Sequence, residues 1–359
     1  MSKNVFVLGA GASAAAGVPL MGQFLDRAHD LLQASETDGA KADFERLFEA
    51  INVLPQVHSK ATLDIDNVES VFSALEMAAI IGVFGDYDAE EIAALDPAMR
   101  AVITTTVEKT MLLPTKDGQV LPPRPYYEFA SMLYRMRSGF PRHDASVITF
   151  NYDLAADYGM NFVGMPVHYA VGDDDSPDGT PLLKLHGSLN WGLCRECRDI
   201  VPWRLHKYLS NRGWLSVDLI KSARLTLTSA FGKLLHHDRP VYPSPVIVPP
   251  TWGKTTQHLS LSRVWNRAAR ELQSGENIFV IGYSLPPSDS FFKYLYALAT
   301  VGHTRIRRFW VFNPDGAVES RFRELLGPAV QSRFKFFAQT FEGAIATIEN
   351  EFPAEFSGN

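Results

Sequence analysis

A glycine turn near the start of the chain carries the first chemical signal. Gly9 and Gly11 follow the apolar residues 5–8 and precede a helix that we expect to begin near Pro19. Because glycines have no Cβ atom, they let the backbone approach a phosphate, and the helix adds unpaired N–H groups and a partial positive charge. The pattern predicts the start of a nucleotide pyrophosphate site.

Polar residues also follow four later apolar runs, at 145–150, 182–185, 277–281 and 309–312. In an open parallel sheet, ligands bind outside the carboxyl ends of the strands, which share one edge. Two alternatives stay open: the Asn and Asp residues cap the following helices, or the histidine is a structural residue of a loop. The residues that we expect to converge with the glycine turn are Asn151, Asp153, His186, Gly282, Ser284 and Asn313.

Composition places the chain among globular proteins. Of its 359 residues, 46% are hydrophobic and 11% aromatic, which is enough for the core of one large or two ordinary domains. The net charge of −6 provides no overall field to attract nucleic acid or an anionic membrane, so we expect neither partner. No apolar run approaches about 20 residues and no basic-then-apolar leader occurs, which predicts a cytoplasmic protein.

Strand-like and helix-like segments alternate from residue 145 onwards. This alternation predicts an α/β fold with a doubly wound, mostly parallel, Rossmann-like sheet, formed by residues 1–37 and 145–359. Residues 38–144 show helical spacing of their apolar positions and are interpreted as a helical insertion. Residues 192–245 have no clean period and are predicted to form an irregular small module or lid within the main domain.

The two cysteines, Cys194 and Cys197, have a spacing that suits a metal or redox pair. A zinc site would need two more ligands, which His236 and His237 could supply. The long gap before these histidines favours two reduced, partly buried thiols instead. We therefore expect no obligatory metal.

Two common nucleotide-binding classes do not fit the glycine turn. A dehydrogenase fingerprint accepts Gly9, Gly11 and Ala14, but it needs a second strand that ends in an acidic residue about 20 positions later. Residues 20–52 keep helical spacing throughout. A P-loop needs a Gly-Lys-Ser/Thr sequence, which this turn lacks.

Five motifs, in this order, resemble the sirtuin-like NAD-binding domains, in particular the divergent branch found in bacterial antiviral defence. The resemblance is spread over most of the chain. The motifs are Gly9-Ala10-Gly11-Ala12-Ser13 with Gly17-Val18-Pro19, Asn67-Val68-Glu69-Ser70-Val71-Phe72, Thr149-Phe150-Asn151-Tyr152-Asp153, Leu185-His186-Gly187-Ser188, and Ile281-Gly282-Tyr283-Ser284-Leu285 with Asp289.

The resemblance implies a domain that binds NAD as its substrate and breaks the bond between nicotinamide and ribose. It also implies that Asn151 and His186 are the catalytic pair. The amide of an asparagine can orient the ribose or a water molecule. The imidazole of a histidine, with an ordinary pKa of about 6.5, can accept a proton. The residues implied in NAD binding are Gly9, Ala10, Gly11, Ser13, Pro19, Asp153, Gly282, Ser284, Asp289 and Asn313.

The chain departs from the deacylating sirtuins in three places. Phe150 stands where they carry Gln, residues 20–24 differ from their loop, and only one of their two cysteine pairs is present. These departures favour plain NAD hydrolysis, with water as the acceptor, over protein deacylation. The alternative from another class is a non-catalytic module that binds NAD or ADP-ribose as a signal.

The predicted role is that of an NAD-depleting effector in a bacterial anti-phage defence system. No sensor domain is left in 359 residues once the catalytic fold is built, so control should come from a partner or from self-assembly. The resemblance implies a hexameric ATPase or translocase, or a short Argonaute-type protein, as the regulatory partner. The apolar, aromatic-rich segment 291–296 predicts a homo-oligomer.

Overall fold

The computed structural model describes residues 3–57, 63–139, 142–172, 178–205, 214–218, 222–225, 233–249, 255–286, 290–301 and 305–352. Its strands are β1 (Lys3–Leu8), β2 (Leu113–Lys116), β3 (Gln119–Val120), β4 (Asp144–Thr149), β5 (Val167–His168), β6 (Thr180–Lys184), β7 (Trp191–Leu193), β8 (Ile200–Pro202), β9 (Trp214–Asp218), β10 (Ser222–Leu225), β11 (Leu235–His236), β12 (Arg239–Pro240), β13 (Asn277–Ile281), β14 (Arg308–Phe312) and β15 (Phe334–Phe337). Its α-helices are α1 (Ala10–Ser13), α2 (Phe24–Gln33), α3 (Lys41–Val53), α4 (Val68–Ile81), α5 (Ala89–Ala93), α6 (Leu95–Thr110), α7 (Arg124–Ser138), α8 (Ala155–Phe162), α9 (Thr255–Ser274), α10 (Ser290–Ala299), α11 (Val318–Leu325), α12 (Pro328–Gln331) and α13 (Phe341–Glu351). Short 3-10 helices cover Ala14–Ala16, Met21–Gln23 and Leu54–Val57.

Seven parallel strands form the central sheet, in the order β15-β14-β13-β1-β4-β6-β5. β1 lies in the middle, where Val7 pairs with Ile148 of β4 and with Val280 of β13. Residues 5–8 are fully buried, as is typical of a parallel strand that is covered on both faces.

Helices cover both faces of this sheet. On one face, α7 packs against β4, α8 and α13, and Phe6 of β1 meets Phe129 of α7 edge to face at 5.3 Å. Val5 points to the opposite face and lies beside Gly275, at the end of α9. The predicted α/β fold with a doubly wound, mostly parallel sheet is therefore confirmed.

The order of the strands reverses next to β1. From β1 the chain first builds β4, β5 and β6 on one side, and later builds β13, β14 and β15 on the other. At such a reversal the loops after the strands diverge and leave a crevice outside the carboxyl ends. The loops that follow β1, β4 and β13 therefore meet at this crevice.

Residues 38–144, interpreted above as a helical insertion, hold α3 to α6 but also β2, β3 and α7. α3 and α4 both pack against α6, whereas α7 belongs to the layer on the central sheet. β2 and β3 join a second sheet of order β3-β2-β10-β9, which ties this segment to residues 192–245. The domain boundaries stay predictions.

Residues 192–245, which we expected to be irregular, contain several short strands in their described part. β7 pairs with β8, and β11 with β12, each as an antiparallel hairpin. Strands of two or three residues are too short to show a readable alternation of polar and apolar positions, so the sequence pattern did not predict them.

The helix expected near Pro19 begins elsewhere. Gly17 has a φ of 83° and ends the 3-10 helix at 14–16, and Leu20 is extended with a ψ of 161°. The helical conformation resumes at Met21, and α2 begins only at Phe24. The helix that directly follows the glycine turn is the four-residue α1.

The surface of α10 and the residues after it carries exposed apolar side chains. Tyr294, Leu298 and Val301 are 62%, 74% and 75% exposed, while Phe292 and Tyr296 are buried against the core. The homo-oligomer stays a prediction, with this surface as one place to examine. Among the described helices, none combines the length and the apolar character needed to cross a membrane.

Candidate functional site

A cavity of about 550 Å³ opens at the carboxyl ends of the central strands. It lies where the strand order reverses, the position at which open α/β sheets bind ligands. Its volume falls in the range of small-molecule and cofactor sites. The predicted site residues that line it are Ala10, Gly11, Asn151, His186, Gly282, Ser284 and Asn313.

The two glycine loops are packed directly against each other. Gly11 donates its N–H to the carbonyl oxygen of Gly282 at 2.8 Å, and Gly9 donates to that of Ile281 at 3.0 Å. Gly282 has a φ of +64°, and a Cβ atom on it would lie 2.5 Å from the nitrogen of Ala12. The glycines therefore permit close contact between the loops, and the N–H groups of Gly9 and Gly11 are used within the protein.

Asn151 lies at the cavity wall just after β4. Its Nδ2 donates to the carbonyl oxygen of Gly9 at 2.9 Å and to Oγ of Ser13 at 2.7 Å. Because a carbonyl oxygen only accepts, the contact with Gly9 identifies the nitrogen end of the amide. Both N–H groups of the amide point into the protein, so Oδ1 is the atom placed to accept a hydrogen bond from a ligand.

Ser13 and Asp153 lie behind Asn151 and do not line the cavity. Ser13 donates to Oδ2 of Asp153 at 2.5 Å, so its oxygen accepts from Asn151 and lies 3.2 Å from the hydroxyl of Tyr126. Burial raises the pKa of Asp153, against the opposing effects of Lys184 and of the hydrogen bond from Ser13. The two residues therefore orient the amide from behind.

A buried ion pair extends this network. Lys184 and Asp157 are each 1% exposed, and Nζ lies 2.9 Å from Oδ2. Lys184 also donates to the carbonyl oxygen of Asp153 at 2.5 Å, and Asp157 accepts from the hydroxyl of Tyr169 at 2.6 Å. The cation thus ties β6 to the segment that carries Asn151.

His186 follows β6 and is 5% exposed. Its ring packs between two aromatic rings, with centroid distances of 5.2 Å to Phe150 and 6.2 Å to Tyr152. Its carbonyl oxygen accepts the N–H of Val248 at 2.9 Å. These contacts hold the imidazole at the wall of the same cavity that Asn151 lines.

Sequence reasoning missed several residues of the cavity. Glu69, Asp315 and Glu342 line it, whereas no Lys or Arg belongs to its described lining. Phe150 and Tyr283 stack at 4.4 Å and form an aromatic wall. Glu69 lies inside one of the five motifs and Asp315 just after a predicted strand, so both could have been found, but Glu342 follows β15, which the sequence pattern did not predict.

The remaining predicted binding residues have other positions. Gly9 and Pro19, like Ser13 and Asp153, do not line the cavity, and Pro19 is buried. Asp289 lies outside the described residues. Gly9, Ser13 and Asp153 therefore contact or support Asn151 without lining the cavity themselves.

A second cluster joins the two small hairpins. The ligand atoms of Cys194, Cys197, His236 and His237 all lie within 4.8 Å of one another, and Sγ of Cys197 is 3.7 Å from Nδ1 of His236. Burial raises the pKa of Cys194, but hydrogen bonds, first of all with His236, bring it down to about 6. Two thiols and two imidazoles form the donor set of a Cys2His2 metal site.

No protein-family model matches the chain, and no curated protein matches it. Among solved structures it is similar to a Sir2 homologue in complex with NAD, with 14% identity, coverage of 99% of this chain and 91% of that one, and a TM-score of 0.41. A mutant Sir2 homologue in complex with ADP-ribose shows 14% identity, coverage of 98% and 94%, and a TM-score of 0.43. A Sir2 protein bound to a propionylated peptide shows 10% identity, coverage of 99% and 94%, and a TM-score of 0.36. At this degree of likeness, a function has to be argued from the residues of this chain.

Proposed function

We propose that the chain is an NAD glycohydrolase, which cleaves NAD to nicotinamide and ADP-ribose with water as the acceptor. The observation that carries the proposal is the single cavity lined by both Asn151 and His186, which follow neighbouring strands of the sheet. The cavity occupies the position where open α/β sheets bind nucleotides. The motifs that contain the two residues are among those that resemble sirtuin-like domains.

Carboxyl residues in the cavity lining are compatible with this reaction. When the bond between nicotinamide and ribose breaks, the ribose acquires positive charge, as in glycoside hydrolysis generally. Glu69, Asp315 and Glu342 line the cavity, and a carboxylate close to the ribose would stabilise that charge. Oδ1 of Asn151 is placed to accept a hydrogen bond from a ribose hydroxyl or from the attacking water.

His186 is proposed as the general base. Its imidazole accepts the proton of the attacking water as the new C–O bond forms at the ribose and nicotinamide leaves. The flanking rings of Phe150 and Tyr152 restrict its orientation and cover it from bulk water. In this proposal, Asn151 orients the ribose or the attacking water, and His186 accepts the proton.

The test is the release of nicotinamide and ADP-ribose from NAD by the purified chain, followed by chromatography over a range of protein concentrations. We expect Asn151→Ala and His186→Ala each to lower the rate by about 100-fold. Asn52→Ala and His29→Ala serve as matched controls, because both residues are exposed on helices away from the cavity and should leave the rate unchanged.

Two other outcomes would contradict the proposal. Binding of NAD by the wild type without release of nicotinamide, at every concentration and also after addition of a regulatory partner, would favour the non-catalytic module. Transfer of acyl groups from lysine peptides to ADP-ribose would favour a deacylase. Deacylase activity is the less expected of the two, because the apolar ring of Phe150, stacked on Tyr283 at the cavity wall, stands where the deacylating sirtuins carry Gln.

We also propose that Cys194, Cys197, His236 and His237 bind one zinc ion. Ligand atoms of a tetrahedral zinc site lie about 3.3–3.8 Å apart, given bond lengths of about 2.0–2.3 Å. The separations in this cluster, all within 4.8 Å, need only small side-chain adjustments to meet that geometry. The ion would fasten the hairpin β7–β8 to the hairpin β11–β12.

For this site we expect about one zinc ion per purified chain by elemental analysis. Cys197→Ser and His236→Gln should each lower the zinc content and the temperature of unfolding, whereas His29→Gln should change neither. Metal contents that are equal in the wild type and Cys197→Ser would exclude the site.

The wider role stays a prediction from the resemblance. It comprises an NAD-depleting defence effector, a homo-oligomer, and regulation by a hexameric ATPase or translocase or by an Argonaute-type protein. If the purified chain binds NAD but cleaves it only after such a partner is added, regulation by a partner would be supported.

A further inference from the structure

We propose that Tyr152 is a positioning residue for His186, an inference that rests on the proposed function in assigning His186 to catalysis. Tyr152 does not line the cavity and follows Asn151 directly. Its ring contacts His186, its carbonyl oxygen accepts the N–H of Leu189, and its hydroxyl donates to Val248, which pairs with His186. Each contact restrains a different part of the surroundings of His186.

The ring of Tyr152 restrains the imidazole. Its centroid lies 6.2 Å from that of His186, with an angle of 32° between the planes, and Phe150 packs on His186 edge to face at 5.2 Å. Tyr152 and His186 are both buried, so neither ring has room to turn freely. The imidazole is therefore held between two neighbours that are themselves fixed.

The hydroxyl and the backbone of Tyr152 restrain the loop on both sides of His186. The hydroxyl donates to the carbonyl oxygen of Val248 at 2.8 Å, while the N–H of Val248 donates to the carbonyl oxygen of His186 at 2.9 Å. On the other side, the N–H of Leu189 donates to the carbonyl oxygen of Tyr152 at 3.1 Å. A single residue thus fixes both the segment paired with His186 and the chain that follows it.

This arrangement also couples the two proposed catalytic side chains. The side chains of the consecutive residues 150–152 make contacts on different sides of the chain. Accordingly, Asn151 reaches towards Gly9 and Ser13, while Phe150 and Tyr152 reach towards His186. The short segment after β4 therefore sets the distance between the amide and the imidazole.

The test compares Tyr152→Phe, which removes only the hydroxyl, with Tyr152→Leu, which also removes the ring. Tyr158→Phe is the matched control, because Tyr158 is a buried tyrosine whose hydroxyl donates to the carbonyl oxygen of Val120 at 2.7 Å, away from the cavity lining. The readouts are kcat and KM for NAD, and the NMR signals of the His186 ring nitrogens over a pH titration, assigned with His186→Gln.

We expect Tyr152→Leu to lower kcat by about tenfold with KM within about twofold, since a displaced general base slows the chemical step more than binding. Tyr152→Phe should give a smaller loss, and both variants should broaden the His186 signals or shift their titration midpoint. Tyr158→Phe should do neither, even where its loss of stability equals that of Tyr152→Phe.

Two results would overturn the inference. One is a His186 titration in Tyr152→Phe and Tyr152→Leu that matches the wild type. The other is a fall in kcat that tracks thermal stability equally in all three tyrosine variants. If the wild type cleaves NAD neither alone nor with a regulatory partner, the proposed function fails, and the NMR comparison still decides whether Tyr152 positions His186.

Discussion

Replacement of Lys184 by methionine is expected to lower the free energy of unfolding by about 3–5 kcal/mol. Lys184 and Asp157 are each 1% exposed, with Nζ and Oδ2 2.9 Å apart, so the variant leaves a carboxylate buried without its cation. It also removes the donor to the carbonyl oxygen of Asp153. Urea unfolding of the purified protein, followed by circular dichroism, measures the loss.

Two comparisons make this result specific. Lys184→Met combined with Asp157→Asn also removes the carboxylate that lost its ion-pair partner, and it should therefore recover part of the lost stability. Lys41→Met breaks the exposed pair with Glu45 and should change stability by no more than about 0.5 kcal/mol. A loss below about 1 kcal/mol in Lys184→Met would mean that the pair is hydrated in solution.

Replacement of Gly282 by alanine is expected to cost about 2–5 kcal/mol of stability. The φ of +64° is unfavourable for a residue with a Cβ atom, by about 1–2 kcal/mol. In addition, the new atom would lie 2.5 Å from the nitrogen of Ala12, and overpacking of this kind adds about 1–3 kcal/mol. Since the β1 and β13 loops would have to separate, the proposed function also predicts a lower affinity for NAD.

Gly118 provides the matched control for this variant. Its φ is +75°, but a Cβ atom on it would have no neighbour within 4 Å, so Gly118→Ala should show only the conformational cost of about 1–2 kcal/mol. Thermal or urea unfolding of both variants, with NAD titrations by calorimetry, separates the two contributions. Equal losses of stability in Gly282→Ala and Gly118→Ala would show that the β1 and β13 loops can separate without a further loss of free energy.

Five of the seven strands of the central sheet, β1, β4, β6, β13 and β14, were predictable because each contains a short, mainly apolar run followed by a turn or polar residues. Residues 277–281, for example, were predicted with the bounds that β13 has. The rule that ligands bind beyond the carboxyl ends of parallel strands then identified Asn151, His186 and Asn313, which all line one cavity. The pattern of apolar residues and a general rule of sheet topology were enough to predict these strands and these three residues.

Other features depend on contacts that no local pattern contains. The sequence marks Ser13 and Asp153 as polar residues at strand ends, but only the packing of the loops turns them away from the cavity and towards each other. Gly282 is needed because a backbone segment from the other end of the chain lies against it. Glu342 joins the cavity through β15, a strand whose Phe-Lys-Phe-Phe sequence gives too short an alternation to be read.

The central position of β1 has a consequence for how the protein is made. β1 is synthesised before the other strands of the sheet, yet one of its two neighbours is β13, and Asn4 meets Asn277, which is 273 residues away in sequence. At about 5–20 residues per second, a ribosome needs roughly 15–55 s to cover that separation. During this time β1 has an unpaired edge, and the contact between the two glycine loops does not exist. A nascent chain therefore acquires the complete cavity only after β13 and the lining residues up to Glu342 have been synthesised, and the proposed activity cannot precede that point.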